Sequence, residues 1–155
     1  LDANGNVVKP FSPIQKWDIT KDPLINIYDD NSQPTGQKKV VEKWVIDLTK
    51  EGMHRVTVQG TAEEAFRTAT YSAAGKTGTA EYCDNVAQSK NLCIPGNWPT
   101  HSWYVGYAPA EDPEIAVVAF VYNGSEGAKV AAPIVRNVMD SYFKLKAIDE
   151  GKEIP

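Results

Sequence analysis

Residues 114–122 read EIAVVAFVY, a continuous apolar run with turn chemistry at both ends. No other stretch constrains the fold as much. A short run of this kind reads as a buried strand. Pro109 to Pro113, with Glu111 and Asp112, make a tight turn before it, and Asn123-Gly124 a turn after it. Upstream, SWYVGYA at 102–108 alternates and reads as a strand, and Tyr71 to Tyr82 is a third candidate. Short connections make these three antiparallel neighbours.

A sheet of this kind needs helices to cover it. Val40, Val41, Trp44, Val45 and Leu48 recur at helical spacing, which predicts an amphipathic helix over about 38–51, stopped by Gly52, with Trp44 in the core. Ala131, Ile134, Val135, Val138, Met139 and Tyr142 form one stripe of a second helix over about 128–145, with Pro133 in its first turns. A short helix is expected at 61–67, with Thr61 as N-cap and Glu64 completing a capping box. Residues 6–19, broken by Pro10 and Pro13, suit an edge strand or two short strands. Residues 20–37 are mainly turn, with a short strand at Asn26–Tyr28. The order strand, helix, three strands, helix implies an α+β layer structure, an antiparallel sheet covered by helices.

The chain has 155 residues, 42% of them hydrophobic and 23% charged, which suits one globular domain with a real core. Net charge is −4 without a basic block, so nucleic acid is not an expected partner. There is no apolar run of membrane-spanning length and no signal-peptide pattern. Leu1-Asp2-Ala3-Asn4-Gly5 reads as though cut from something longer, and residues 146–155 as a polar, frayed tail. The expectation is a fragment with its core at 3–145.

Cys83 and Cys93 bracket a polar loop. A disulfide would close about 10 residues and stabilise by roughly 2–3 kcal/mol in an oxidising compartment. Two free thiols in a reducing one fit the spacing equally well. Cys83, Cys93 and His101 match no common zinc spacing, so no metal is expected. No cofactor is expected either.

The third strand candidate carries AAGKTGTAEY at 73–82. Glycine weakens a strand and marks close approach to its backbone. Lys76 and Gly78 share one parity, Thr77 and Thr79 the other. One edge of such a strand offers N–H groups to an extended ligand, and an ammonium and hydroxyls to a carboxylate.

These residues resemble the K-T-G motif of the penicillin-binding proteins, a serine-acylation signature. The likeness extends through Glu51-Gly52-Met53, Gly60-Thr61-Ala62, the run His101 to Pro109, Pro113 to Val117, Asn123-Gly124, Gly127 and Ala131-Ala132-Pro133-Ile134, and also Asn4-Gly5 with Lys9-Pro10. It is nearest the monofunctional, elongation-type penicillin-binding protein 2 group. The resemblance implies the C-terminal part of a β-lactamase/transpeptidase-like fold. It also implies part of a peptidoglycan D,D-transpeptidase that cross-links stem peptides ending in D-Ala–D-Ala and is acylated by β-lactams. Lys76, Thr77, Gly78 and Thr79 would then form the substrate strand. Lys76, Thr77 and Thr79 would hold a terminal carboxylate, the Thr79 N–H would serve an oxyanion hole, Gly78 would admit the acyl chain and Gly75 would ease packing behind it. Trp103 either walls the cleft or belongs to the core. His54 and His101 have no acid or base partner in sequence.

The family's serine motif S-x-x-K and its middle motif S-x-N precede K-T-G. Here Ser141-Tyr142-Phe143-Lys144 and Ser89-Lys90-Asn91 match by spelling but follow it, so both read as chance. The nucleophile would then lie upstream, outside this chain, and the chain alone would be inactive. The implied location is the outer face of the bacterial cytoplasmic membrane, reached through an N-terminal anchor not among these residues. That compartment favours the Cys83–Cys93 disulfide. One sheet face should be left apolar and open to dimerisation. Other readings are a β-lactamase, a D,D-carboxypeptidase or a β-lactam sensor of the same superfamily, and a non-catalytic scaffold.

Overall fold

The computed structural model describes residues 17–152. These fall into two compact units, divided between Asp47 and Leu48. In the first unit, strands β1 (Ile25–Tyr28) and β2 (Pro34–Lys39) pair antiparallel, with Ile25 opposite Lys39. Asp29 closes the turn: its Oδ1 accepts from the backbone N–H groups of Asn31 and Gln33, at 2.9 and 2.8 Å. Lys38 and Lys39 are therefore strand residues, not the start of a helix. Of the edge strand expected at 6–19, residues 6–16 lie outside the described residues.

Helix α1 spans Lys43–Val58 and runs through Gly52. One glycine costs a helix only about 1 kcal/mol relative to alanine, and tertiary contacts of the last two turns outweigh that. Val56 packs against the core and Thr57 is buried. The Thr57 hydroxyl lies 2.7 Å from the Ala73 carbonyl, which also accepts from Nδ1 of His54 at 2.8 Å. Trp44, expected in the core, is 66% exposed.

The second unit is built on strands β3 (Ala74–Glu81), β4 (Thr100–Ala108) and β5 (Ile115–Val121), antiparallel in the order β3-β4-β5. Helix α2 (Glu63–Phe66) precedes them, α3 (Asn85–Ser89) lies in the β3–β4 connection, and α4 (Ala131–Asp149) ends the chain's described part. One sheet face carries Ser102, Tyr104 and Ala119, all buried, and α4 closes over it through Ala131, Ala132, Val135 and Met139. Burying side chains such as Val135 and Met139 contributes roughly 1.5–3 kcal/mol each. Ile134 and Val138 of the expected stripe are exposed. Helix α4 continues past 146: Ala147 is buried, and Lys146 pairs with Glu114, the residue before β5.

The other sheet face is open. Trp103, Val105, Val118 and Phe120 stand on it, with Val118 62% exposed. β5 is therefore buried on one side only, because α4 covers just the opposite face. Cys83 and Cys93 form a disulfide with Cα atoms 5.6 Å apart. It closes the loop that holds α3, whose N-cap Asp84 accepts from the Ala87 N–H at 2.8 Å.

Candidate active site

The site is organised by the free edge of β3. Lys76 pairs with Val105, Gly78 with Trp103 and Glu81 with Thr100. The next pair is hydrogen-bonded, since Tyr82 N–H donates to the Pro99 carbonyl at 3.0 Å. Antiparallel ladders alternate inward- and outward-facing backbone groups. Lys76, Gly78 and Ala80 therefore bond to β4, while the N–H and C=O of Gly75, Thr77, Thr79 and Glu81 face outward. Among the described residues no strand pairs with that edge. It is a row of donors and acceptors ready for an extended ligand.

The side chains divide as the parity requires. Lys76 is exposed on the open face, beside Gly78 and Trp103. Its ammonium still reaches the edge, where Nζ donates to the Thr77 carbonyl at 2.7 Å. Thr77 and Thr79 point to the helix-covered side. There the Thr77 hydroxyl lies 3.1 Å from that of Thr61, and the Thr79 hydroxyl accepts from the Gly127 N–H at 3.4 Å. Positive charge, two hydroxyls and two outward N–H groups thus gather along about two residues of strand.

Two glycines make this possible. A Cβ on Gly75 would lie 2.2 Å from the Tyr104 hydroxyl, so Gly75 lets that buried ring lie flat across the strand. A Cβ on Gly127 would lie 2.3 Å from the Trp103 carbonyl oxygen and 2.5 Å from that of Gly78. Gly127 therefore rests directly on the β3–β4 ladder, and this brings its N–H to Thr79.

The remaining candidates separate from the site. The Ser141 hydroxyl donates to the Asn137 carbonyl on the exposed surface of α4, and Ser89 donates to the Val86 carbonyl in α3. Each is bonded within its own helix. His54 bonds Ala73, and His101 stacks on Tyr82 at 3.8 Å while its Nδ1 accepts from the Asn123 N–H at 3.3 Å. Trp103 is 41% exposed and packs on Phe120 at 4.5 Å, so it is not a core residue. Thr61 does not cap α2: the N-cap position is Ala62, with no side-chain cap bond. Its contact with Thr77 spans 16 residues, and no local pattern encodes it.

The model of the penicillin binding protein transpeptidase domain family matches residues 2–140. The chain belongs to this family. The peptidoglycan D,D-transpeptidase MrdA of Haemophilus influenzae is 33% identical over 143 residues, covering 90% of this chain and 19% of that protein. Pseudomonas aeruginosa PBP2, solved in complex with WCK 5153, aligns with a TM-score of 0.55 at 34% identity, over 72% of this chain and 22% of that one. Penicillin-binding protein A of Mycobacterium tuberculosis, solved as a ceftriaxone acyl-enzyme complex, aligns with a TM-score of 0.50 at 27% identity, over 75% of this chain and 26% of that one. The chain thus spans 19–26% of the length of these relatives. The matched residues take in β3, β4 and β5.

Proposed function

We propose that this chain supplies the substrate-strand side of a peptidoglycan D,D-transpeptidase of the elongation-type penicillin-binding protein 2 group. The observation that carries the reading is the unpaired edge of β3, with the Thr79 N–H outward and the Lys76 ammonium beside it. A stem peptide ending in D-Ala–D-Ala would lie along this edge as an added strand. Its terminal carboxylate meets Lys76 and the hydroxyls of Thr77 and Thr79.

The chemistry proceeds in two steps. A serine Oγ, its proton taken by a neighbouring base, attacks the carbonyl carbon between the two D-Ala residues. The peptide C–N bond breaks, D-Ala leaves with the proton on its nitrogen, and an ester joins the stem to the serine. The amine of a second stem then attacks the ester, forms the cross-linking amide and returns the proton to the serine. The Thr79 N–H donates to the oxyanion in both steps. Loss of one such donor typically costs about 3–4 kcal/mol of transition-state stabilisation. A β-lactam carries the same carboxylate and a strained amide, and stops at the ester. Gly78 keeps the strand clear of the acyl chain, and Trp103 walls the cleft on the open face.

The serine and its base lie outside these 155 residues, so the chain alone is not acylated. The reaction belongs on the outer side of the cytoplasmic membrane, where a Cys83–Cys93 disulfide is stable. In isolation the open apolar face favours a second copy of the chain. The test is incubation with a fluorescent penicillin, followed by intact-mass measurement. The expected result is no adduct on this chain and one adduct on a protein that joins it to an S-x-x-K serine. An adduct on Ser141 or Ser89 would overturn the assignment.

A further inference from the structure

The residue that the reaction scheme leaves without a role is Thr61. It stands on a rigid mount. Ala62 is buried and its N–H donates to the Val56 carbonyl at 2.9 Å. Phe66 is buried and stacks on Tyr104 with ring centroids 5.7 Å apart. From α4, Arg136 donates to the Ala65 carbonyl at 3.2 Å and is held in turn by Asp140 at 2.6 Å. The mount ties α1, α2, α4 and the sheet together, and it holds the Thr61 hydroxyl 3.1 Å from that of Thr77.

We infer that Thr61 is a positioning residue that orients the Thr77 hydroxyl toward a ligand carboxylate; this rests on the transpeptidase reading of the β3 edge. A hydroxyl has one proton and two acceptor sites. One proton lies between the two oxygens. If it comes from Thr77, that hydroxyl has nothing to offer a carboxylate. If it comes from Thr61, the Thr77 proton is free to point at the anion, and a hydroxyl that accepts one bond donates more strongly in the next. A carboxylate at the edge selects the second arrangement, giving a relay from Thr61 through Thr77 to the anion. Lys76 approaches from the other face of the strand, so charge and relay act on the anion from different sides.

The test uses the acylation-competent protein that carries these residues, with Thr61→Val, Thr61→Ser and Thr77→Val. Each is assayed with a fluorescent penicillin and with its carboxylate methyl ester. Thr61→Val keeps the shape and removes the hydroxyl. It is expected to lower acylation efficiency for the free carboxylate roughly five- to tenfold, through weaker binding and not a slower chemical step. The ester is expected to change less than twofold, and Thr61→Ser to restore the loss. Thr61→Ala reports the same contrast if valine perturbs folding. Equal losses for both probes, no loss for either, or failure of serine to rescue overturns the inference. If Thr77→Val discriminates the probes and Thr61→Val does not, the relay is wrong and the K-T-G assignment stands. If Thr77→Val does not discriminate either, carboxylate recognition by Thr77 fails as well.

Discussion

Tyr104 lies across Gly75, so close that a Cβ on the glycine would sit 2.2 Å from the phenol oxygen. The ring is fully buried, stacks on Phe66, and its hydroxyl has no hydrogen-bond partner among the described residues. Burial pushes this phenol well above its ordinary pKa. Gly75→Ala has no space for its methyl group and is expected to destabilise by about 1–3 kcal/mol, the usual cost of overpacking. Tyr104→Phe removes a buried hydroxyl that bonds nothing, so it should leave stability unchanged or raise it by about 1 kcal/mol. Combined with Gly75→Ala, it should recover part of the loss. Chemical denaturation of the four proteins checks this. A large loss in Tyr104→Phe alone would mean that the hydroxyl has a partner.

Gly127 ties β3 to the loop before α4. Its N–H is the donor to Thr79, and a Cβ there would press on the Gly78 and Trp103 carbonyls. Gly127→Ala is expected to push the loop off the strand and free the Thr79 hydroxyl, costing about 1–3 kcal/mol of stability. In the acylation-competent protein the same change should slow acylation about tenfold, since it displaces the Thr79 N–H, the proposed oxyanion donor. Stopped-flow acylation separates this from a loss of folded protein, because active-site titration counts the folded fraction.

Asp84 sets the acid response of the disulfide loop. Its carboxylate lies below the ordinary value of 3.8, chiefly because it accepts from the Ala87 N–H and further because the Tyr122 hydroxyl donates to it. A carboxylate with a lowered folded-state pKa stabilises fully above its unfolded-state value and ceases to do so as pH falls through the folded one. The α3 cap should therefore hold at neutral pH and fail only below about pH 4. Amide exchange at Ala87 across that range is the measurement. Asp84→Asn should flatten the response while keeping the cap, because asparagine caps as well as aspartate.

The strands of the sheet were legible because their signals are local. Alternation in 102–108 and the apolar run at 114–122 correspond to β4 and β5. The glycines around Lys76 announced close approach, and close approach at Gly75 and Gly78 is what they permit. What spacing did not carry was the partner of each apolar face. Trp44 and Val118 have the pattern of core residues, yet no described element covers them, and coverage is a tertiary fact. The continuation of α1 past Gly52 depends likewise on Thr57 and His54 meeting Ala73, a contact 16 to 19 residues away. Thr61 is the sharpest case. Its neighbours spell a capping box, and its hydroxyl goes to Thr77 instead.

The disulfide closes a loop of sequence separation 10 between β3 and β4. Replacing both cysteines by alanine is expected to cost roughly 2–3 kcal/mol in the chain-entropy view. The loss should be concentrated in the loop, because the Asp84 cap and the Tyr82–Pro99 bond remain. Denaturant melts of the oxidised and reduced chain, with amide exchange across 84–99, check both parts. A global loss with no local loosening would assign the bond to the core and not to the loop.

The open sheet face offers two routes by which isolated copies can associate. One is face to face, through Trp103, Val105, Val118 and Phe120. The other is edge to edge, through the unpaired side of β3. Edges are commonly protected by charge, and here the Lys76 ammonium already occupies the Thr77 carbonyl. The face carries that lysine only at its β3 margin, and its β4–β5 part is apolar: Trp103 and Phe120 form a ring pair, and Val105 stands directly opposite Val118. Apolar contact should therefore dominate, and the chain in isolation is expected to dimerise with rising concentration in sedimentation equilibrium. Val118→Lys with Phe120→Lys should return it to monomer, and Lys76→Ala should not. The reverse pattern would assign the contact to the edge that the substrate is proposed to occupy, and a fluorescent penicillin would then compete with dimerisation in any protein that also carries the serine.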